Sequence, residues 1–319
     1  MDNTENEVCI CITNFNKAEF IEQALKSAIS QKFNGNFHVL IIDDCSTDES
    51  KSIILNFKNN YPDVITAYFN ISNLGLIGNF IKICKLAQGK YISFLDSDDY
   101  WIDDLKIQKQ VDLIHSDNSI GLVHTNYLVK TGNEILPEIS PKPPNGHIYD
   151  RLILNNFITH SSVLVKKNLL INAIEELEKL NWSNFHHNDY PLYLMISIKT
   201  KVFYLNQKTI VYRNLDSSAS HTKNYHLKTK IVDSTYYSRI YFIKNIHNVP
   251  EKIENKIKSS YFYSKLIIAC DYVEIDDFFN FLFQFLKYNK NFKHLIGSFI
   301  RIFKIIYLKF FYTNSIFKK

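Results

Sequence analysis

Over the first hundred residues, short apolar runs alternate with longer segments in which apolar residues recur at helical spacing. The short runs predict buried strands at Val8–Thr13, His38–Ile42, Ile65–Phe69 and Tyr91–Leu95. The longer segments predict helices at Lys17–Gln31, Glu49–Asn59 and Leu76–Ala87. Because strands that alternate with helices are joined by right-handed crossovers, this order predicts an α/β fold with a mostly parallel, Rossmann-like central sheet and flanking helices.

The rest of the chain changes character near residue 220. Before it, the pattern predicts helices at Asp103–His115 and Leu169–Leu180, strands at Gly121–Leu128, Ser161–Lys166 and Val202–Leu205, and a proline-rich loop at Pro137–Gly146. After it, only helical spacing recurs, near Lys228–Ile246, Lys252–Cys270, Ile275–Tyr288 and His294–Phe311. We therefore predict an α/β domain over residues 1–220 and a basic, amphipathic helical region over residues 221–319.

Composition narrows the class of protein. The 319 residues are 46% hydrophobic and 22% charged, which is typical of a globular chain and excludes extended disorder. The five cysteines are odd in number and scattered, and this favours reduced thiols in a cytoplasmic protein. The first seven residues have neither a basic nor an apolar segment, so they do not predict a signal peptide.

Charge is distributed unevenly along the chain. The formal net charge is only +5, but Phe278–Lys319 contains eight Lys and Arg residues and no Asp or Glu. On a helix over Leu295–Tyr312, the basic residues lie on one side, which is the pattern of an interfacial helix on an anionic membrane. The alternative is a helix packed on the protein or in a dimer. No nucleic-acid recognition motif accompanies these charges, so no nucleic-acid partner is expected.

Polar clusters follow three of the predicted strands, where ligands bind in open parallel sheets. Asp96, Asp98 and Asp99 repel one another unless a cation or hydrogen-bond donors compensate, and hard oxygen ligands suit Mg²⁺ or Mn²⁺. The alternative is an acidic turn that caps the next helix. Asp43 and Asp44 end a buried strand and are placed to accept hydrogen bonds from a base or ribose. The chain has neither a P-loop nor a dinucleotide-binding glycine motif.

The order and spacing of four motifs resemble family 2 glycosyltransferases of the GT-A fold, over roughly residues 7–220. The motifs are Thr13-Asn14-Phe15-Asn16, Asp43-Asp44-x-Ser46-Thr47-Asp48, Asn73-Leu74-Gly75 through Asn79, and Phe94-Leu95-Asp96-Ser97-Asp98-Asp99. The last of these contains the family's DXD motif. The resemblance implies that a sugar is transferred from a nucleotide diphosphate sugar, with inversion at the anomeric carbon and with Mn²⁺ or Mg²⁺ as the cofactor.

The resemblance also assigns donor-side roles by position. Thr13, Asn14 and Asn16 would hold the nucleotide. Asp43 or Asp44 would contact the base, expected to be uracil, and Asn73, Gly75 and Asn79 would border the base and diphosphate. Asp96 would face the ribose or donor sugar, while Asp98 would bind the metal with Asp99 beside it. Gly78 stands where the family usually has a basic residue, which leaves open how the diphosphate is neutralised.

Further assignments concern the catalytic base, the acceptor and the closing loop. Asp189 matches the family's catalytic base, although Asn188 replaces the acid that often precedes it, and a simple helix N-cap is the alternative. Arg213 would contact the diphosphate, or form a surface salt bridge. His221 would complete the metal site, or be structural. The expected acceptor-side residues are Trp101, His160, Ser161 and His187, with a core position as the alternative for Trp101.

These assignments predict a metal-dependent, inverting transferase that uses a nucleotide sugar, expected to be UDP-linked. By resemblance, the acceptor is a glycan or lipid-linked oligosaccharide in surface polysaccharide biosynthesis, such as lipopolysaccharide or capsule. The location is then cytoplasmic, and peripheral on the inner face of the cytoplasmic membrane. Two alternatives stand: a sugar nucleotidyltransferase, which needs a basic residue where only Lys17 is near, and a non-catalytic, membrane-associated nucleotide-binding module.

Overall fold

The computed structural model describes residues 7–137, 142–180, 182, 189–215, 224–272 and 274–288. The chain divides into two compact units, Met1–Leu215 and Asp216–Lys319. The described residues of the first unit form nine strands: β1 (Val8–Asn14), β2 (Phe37–Asp43), β3 (Ile65–Phe69), β4 (Tyr91–Asp96), β5 (Tyr100–Trp101), β6 (Ile120–Thr131), β7 (Glu134–Pro137), β8 (Leu164–Lys166) and β9 (Lys201–Arg213).

Seven described helices accompany this sheet. They are α1 (Ala18–Ile29), α2 (Ser50–Asn60), α3 (Gly75–Leu86), α4 (Lys106–Ser116), α5 (Tyr149–Leu152), α6 (Lys167–Lys179) and α7 (Tyr190–Lys199), together with a 3-10 turn at His160–Ser162. The predicted helices and strands are confirmed within about three residues at most ends. The predicted strand over Ser161–Lys166 begins three residues later, because its first two residues belong to the 3-10 turn. The predicted strand over Val202–Leu205 continues as β9 to Arg213, eight residues past its predicted end.

The sheet has the strand order β3-β2-β1-β4-β8-β6-β9-β5, with β7 beside β6. Strands β3, β2, β1 and β4 run parallel, as predicted. Beyond β4 the pairing is mixed, because β8 runs antiparallel to both β4 and β6.

The main core forms where the sheet meets α1. Val8, Ile10 and Ile12 alternate along β1 and pack with Ile21 and Leu25 of α1, all of them fully buried. This side-chain alternation is the period of two that a strand imposes. The same arrangement brings the carboxyl ends of β1, β2 and β4 together at one edge of the sheet, where the polar motifs lie.

The second unit contains α8 (Tyr225–Asn245), α9 (Glu251–Tyr272) and α10 (Ile275–Tyr288), as the helical spacing predicted. Its middle helix α9 packs against both others. Asp233 of α8 accepts hydrogen bonds from Lys265 and Tyr261 of α9, at 2.9 and 2.8 Å. The predicted helix at His294–Phe311 lies outside the described residues. Among the described helices, none has the length and apolar character needed to cross a membrane.

Candidate active site

The loops that follow β1 and β2 are hydrogen-bonded to each other. Asn16 donates its backbone N–H to Ser46 Oγ at 2.9 Å, and its Oδ1 accepts from the backbone N–H of Thr47 at 2.8 Å. Within the described residues, Asn16 and Cys45 are the non-glycine positions with positive φ, at 51° and 65°. Such conformations persist where the surrounding contacts enforce them, and they cluster at functional sites. Asn16 therefore fixes one loop against the other.

Asn14 and Asp43 form a buried pair at the ends of β1 and β2. Asn14 Nδ2 donates to Asp43 Oδ1 at 2.8 Å, and Ser46 donates its backbone N–H to Asp43 Oδ2 at 3.0 Å. The other side-chain atom of Asn14, Oδ1, is buried and has no hydrogen-bond partner. Because buried polar atoms are nearly always paired, this oxygen marks a place for a donor group of a ligand. Thr13 is half-buried immediately before it.

Asp44 binds the first turn of α3. Its Oδ1 accepts from the backbone N–H of Leu74 at 2.9 Å, and its Oδ2 accepts from Gly75 at 3.0 Å. A carboxylate there is favoured by the partial positive charge of the helix N-terminus. Gly75 has a φ of +73°, and Asn73 Oδ1 also accepts from its N–H at 2.8 Å. Asp44, Asn73 and Gly75 are thus brought together as the motif order predicted.

A basic residue that the sequence analysis missed lies beside this cluster. Asn70 Nδ2 donates to Asp44 Oδ1 at 2.6 Å and to Asn79 Oδ1 at 3.1 Å, and Asn70 Oδ1 accepts from Lys82 Nζ at 2.6 Å. Lys82 stands one helical turn after Gly78, on the same side of α3. The four-residue spacing from Gly78 could have identified Lys82 in the sequence, because Gly78 is the position where the family usually has a basic residue.

The acidic loop after β4 gives its three carboxylates different environments. Asp98 is partly exposed and forms an ion pair with Lys17, with Nζ and Oδ2 2.7 Å apart. Asp96 is more enclosed, and burial followed by the charge of Asp98 raises its pKa to about 7. Ser161 Oγ lies 3.1 Å from Asp96 Oδ2. A cation at this loop would relieve the repulsion that raises the pKa of Asp96.

Asp99 is buried and bonded to the protein through both of its oxygens. Oδ1 accepts from the backbone N–H of Arg213 at 2.9 Å, and Oδ2 lies 2.7 Å from Ser161 Oγ. Burial, and then the charges of Asp96 and Asp98, raise its pKa well above the usual value. Asp99 therefore joins the acidic loop to β9 and to the 3-10 turn. This arrangement favours Asp98 as the residue that presents a carboxylate for a metal.

Arg213 is not the surface salt bridge that was one of its two interpretations. Its side chain is buried, and its guanidinium lies 4.7 Å from the ring centroid of Tyr100 and 5.0 Å from that of Phe20. It donates hydrogen bonds to the backbone carbonyl of Asp98 and to the side chain of Gln23. These contacts hold the backbone of the acidic loop, while contact with a diphosphate remains a prediction.

The prediction that Trp101 contacts the acceptor is wrong. Its side chain belongs to the main core and is 5% exposed. Its indole Nε1 donates to the carbonyl of Ser161 at 2.9 Å, and Lys106 Nζ lies 4.2 Å from its ring centroid. Lys106 is itself fully buried, and burial lowers its pKa well below the usual value. No open ring face remains for a sugar, so Trp101 supports the 3-10 turn from the core.

Asp189 and Asp96 of the acidic loop both influence Tyr193, which is paired with His160. The ring of His160 stacks on Phe94 with centroids 4.5 Å apart, and its Nδ1 lies 2.6 Å from the hydroxyl of Tyr193. Burial lowers the pKa of His160 to about 4, so its ring is neutral near pH 7. Burial, and then the charges of Asp189 and Asp96, raise the pKa of Tyr193. Asp189 and Asp96 therefore both lie within electrostatic reach of Tyr193.

Asp189 is also the N-cap of α7. Its Oδ1 accepts from the backbone N–H of Tyr190 at 2.7 Å, so the capping interpretation holds alongside any catalytic role. His187 and His221 lie outside the described residues.

Beneath His160, the sequence analysis missed a group of rings from distant segments. Phe80 contacts Phe94, His160 and the buried Trp182, at centroid distances of 5.3, 5.4 and 5.9 Å.

The donor set fits a divalent cation that is held partly by substrate. Among the described residues, no group of three or more His, Cys, Asp or Glu side chains is arranged to hold a metal by itself. Mg²⁺ and related ions, however, are often bound through one or two carboxylates and the phosphates of a nucleotide. Asp98, partly exposed in a crowded acidic loop, is suited to that arrangement.

The model of glycosyl transferase family 2 matches residues 9–170. The chain belongs to this family. It is 27% identical over 246 residues to the Escherichia coli UDP-Glc:alpha-D-GlcNAc-diphosphoundecaprenol beta-1,3-glucosyltransferase WfgD, an alignment that covers 75% of this chain and 91% of that protein. It is 24% identical over 265 residues to the putative teichuronic acid biosynthesis glycosyltransferase TuaG of Bacillus subtilis. This alignment covers 81% of this chain and 99% of TuaG. An uncharacterized Mycobacterium tuberculosis protein is 28% identical over 158 residues, but the chain matches only 45% of its length.

Solved structures confirm the predicted GT-A type of fold. The mannosyltransferase PcManGT of Pyrobaculum calidifontis, in complex with GDP-Man and Mn²⁺, aligns with a TM-score of 0.58 over 93% of this chain and 80% of its own, at 14% identity. S. aureus TarS 1–349, in complex with UDP-GlcNAc, aligns with a TM-score of 0.54 over 88% of this chain and 91% of its own, also at 14% identity. The chain is thus a member of glycosyl transferase family 2, and several of its relatives are named as glycosyltransferases.

Proposed function

We propose that this glycosyltransferase is a metal-dependent, inverting enzyme that moves a sugar from a UDP-sugar to a hydroxyl of a glycan or lipid-linked oligosaccharide. The observation that carries the proposal is that the 3-10 turn at His160–Ser162 joins the acidic loop to α7, the helix that Asp189 caps. Ser161 Oγ lies 3.1 Å from Asp96 Oδ2 at the end of β4, and His160 Nδ1 lies 2.6 Å from the hydroxyl of Tyr193, one helical turn after Asp189. This layout supports an inverting transfer, in which a positioned base takes the proton of the acceptor hydroxyl beside the bound donor.

The donor nucleotide would bind at the ends of β1 and β2. Asn14 Oδ1, buried and unpaired, is an acceptor for a base or ribose donor group. The oxygens of Asp43 and Asp44 hold Ser46 and the first turn of α3 in place, so we assign both residues to the shape of the base site. WfgD is named for UDP-Glc and TarS was solved with UDP-GlcNAc, and these names favour UDP.

The diphosphate would lie between the acidic loop and the start of α3. Asp98 would hold Mn²⁺ or Mg²⁺, which when bound supplies positive charge to stabilise the leaving diphosphate. PcManGT was solved with Mn²⁺, which supports this cofactor class. Lys17 is the present counter-charge of Asp98, and Lys82 lies beside Asp44 through Asn70. Both lysines are candidates for the positive charge that Gly78 cannot provide.

Asp189 would act as the base of the transfer. Its carboxylate accepts the proton of the acceptor hydroxyl, whose oxygen forms a bond to the anomeric carbon of the donor. The bond from that carbon to the diphosphate breaks on the opposite face, and the diphosphate leaves with the electron pair. Neutral His160, held by Tyr193 and stacked on Phe94, would border the acceptor without adding charge.

The acceptor and the location follow from relatives and from the helical region. The names of WfgD and TuaG support a surface-glycan acceptor. A peripheral position on an anionic membrane is supported by α10, which exposes Phe279, Phe283 and Leu286 at helical spacing. Co-sedimentation with anionic and with zwitterionic vesicles tests it. Phe283→Ser should weaken binding and Leu55→Ser, an exposed position on α2, should not. Equal recovery without vesicles would contradict the proposal.

The experiment that tests the function is a thermal-shift panel of UDP-, GDP-, CMP- and dTDP-sugars with and without Mn²⁺, coupled to measurement of nucleotide release. Ligands that bind the folded state raise the melting temperature by mass action. We expect a shift with a UDP-sugar plus Mn²⁺, and release of UDP. Binding without release or transfer would favour the non-catalytic module, and preference for a nucleoside triphosphate would favour the nucleotidyltransferase.

A further inference from the structure

A β-bulge interrupts the pairing of β6 and β9 at some distance along the sheet from the donor loops. Thr125 pairs with Leu205, but the next residue, Asn126, pairs with Lys208, so Asn206 and Gln207 are extra residues in β9. Bulges re-aim side chains and occur often beside functional sites. Here the bulge brings the amides of Asn126 and Asn206 together, with Nδ2 and Oδ1 3.2 Å apart.

A cavity of about 370 Å³ opens beside this bulge. The Lys142–Pro144 segment and the loop that follows α5 close its other sides. Its size lies within the range of small-molecule sites, roughly 300–1,000 Å³. All of the lining residues belong to the first unit, and none of them belongs to the four motifs shared with the family.

The chemistry of the lining suits an acidic sugar. Phe157 and Tyr204 offer aromatic surface, as a sugar ring requires on its apolar face, and four asparagines offer paired donors and acceptors for hydroxyl groups. Lys142 and Arg151 add two exposed positive charges, and no carboxylate is present among the described lining residues. A guanidinium binds carboxylate or phosphate oxygens through two parallel hydrogen bonds.

A buried histidine next to the cavity has an unused polar atom. His124 is 1% exposed, and its Nε2 has no hydrogen-bond partner. Its ring centroid lies 5.1 Å from that of Tyr204 and 6.2 Å from that of Phe157, the two rings that line the cavity. Burial lowers the pKa of His124 to about 3, so the ring is neutral. Such an orphaned atom is unusual in a plain structural core.

The loop that lines the cavity contacts α7 at one end and continues into the 3-10 turn at the other. The hydroxyl of Tyr190, the residue after Asp189, lies 3.0 and 3.1 Å from the carbonyls of Leu152 and Ile153, which lead into the lining loop. The same loop continues from Phe157 to Ser161, which contacts Asp96. The cavity and the proposed acceptor side therefore share one loop of the protein.

We propose that this cavity binds a negatively charged sugar unit of the acceptor glycan, through Arg151 and Lys142 for the charge and the asparagines for the hydroxyls. The inference rests on the proposed function, because it names an acceptor class for that enzyme. The charge is a carboxylate in a hexuronate or a phosphate in a sugar phosphate, and both present oxygen atoms to the same cations.

Direct binding tests the site without needing the true acceptor. Methyl β-glucuronide, glucose 1-phosphate and neutral methyl β-glucoside are titrated into the full-length protein by calorimetry, with UDP plus Mn²⁺ titrated in parallel. The variants are Arg151→Gln combined with Lys142→Gln, and Lys208→Gln as a matched control at the bulge but outside the lining. We expect the double variant to weaken both charged ligands about tenfold or more, and the control to leave them unchanged.

The outcomes separate this inference from the proposed function. Tighter binding of the glucuronide assigns a uronate, and tighter binding of the phosphate assigns a sugar phosphate. Equal binding of charged and neutral sugars, or an unchanged affinity in the double variant, overturns the site, as does no sugar binding by a protein that binds UDP normally. Charge-dependent sugar binding without any nucleotide binding would sustain the cavity and overturn the proposed donor site instead.

Discussion

The donor side and the acceptor side of the proposed active site are built in opposite ways. The donor side, formed by the loops after β1, β2 and β4 and the start of α3, is held by short hydrogen bonds between polar residues. The acceptor side, centred on His160 and Asp189, is supported by packed rings from separate segments. A change at the partly exposed Asp98 should therefore alter binding at nearly constant stability, whereas changes in the packed rings beneath the acceptor side should alter both.

The largest effect is expected for Asp189→Asn. Asparagine caps a helix about as well as aspartate, so α7 should remain intact, but an amide cannot accept a proton as a base. Transfer should fall roughly 10²–10⁴-fold, the range for loss of a general base. Nucleotide binding and the melting temperature should stay close to the wild-type values, as measured by calorimetry and thermal unfolding.

Asp189→Ala provides the contrast, because it removes the cap and the carboxylate together. It should lose activity to the same extent and also about 1 kcal/mol of the free energy of unfolding. If Asp189→Asn kept its activity while Asp189→Ala lost stability, the residue would be a cap alone.

On the donor side, Asp98→Asn should lower transfer by roughly 10²–10³-fold, as expected when a group that stabilises developing charge is removed. It should also abolish the metal-dependent part of UDP binding, which calorimetry with and without Mn²⁺ measures. Asp112→Asn, an exposed change on α4, is the control and should have no effect. If UDP binding by Asp98→Asn still depended on the metal, the metal ligand would have to be another carboxylate of the acidic loop.

The same contrast decided what could be predicted from the sequence. Asp43, Asp44 and Asp98 each follow a short apolar run, so the strand ends located them without knowledge of distant contacts. Lys82 escaped notice because a single lysine on a helix is ordinary, and only its bond to Asn70 gives it a place in the site. The local pattern therefore located the acids at the strand ends, but it did not identify the lysine that lies beside them.

On the acceptor side, long-range pairing determined the outcome. Trp101 stands two residues after the acidic loop, but its pairing with Ile210 of β9 turns it into the core. Strand β5 has two residues and is too short to show a period. Trp182 and Tyr193 are aromatic residues that contact Phe80 and His160, which lie in other segments of the chain. No local spacing identifies such neighbours.

A smaller effect is expected from Phe80→Leu, which thins the packing beneath His160. Phe80 is 1% exposed and contacts three other rings. Its loss should lower the free energy of unfolding by about 2 kcal/mol, as measured by urea denaturation. Activity should fall with it, while UDP affinity should not. A comparable loss of UDP affinity would show that the two sides are not separate.

The smallest effect concerns pH and the neutral ring of His160. Burial holds its pKa at about 4 in the folded protein, below the value near 6.5 of an unfolded chain. Between these values the unfolded state takes up a proton that the folded state does not, so this residue's stabilisation is present above pH 6.5 and is lost as the pH falls toward 4. When the pH falls from 7 to 5.5, the free energy of unfolding of the wild type should therefore decrease. The decrease for His160→Gln should be smaller by about 1 kcal/mol. Urea denaturation at both pH values measures the difference, with exposed His147→Gln as the control. Identical pH dependence of the wild type and His160→Gln would mean that the ring is solvated rather than enclosed, and the acceptor side would then lack the dry, packed support that distinguishes it from the donor side.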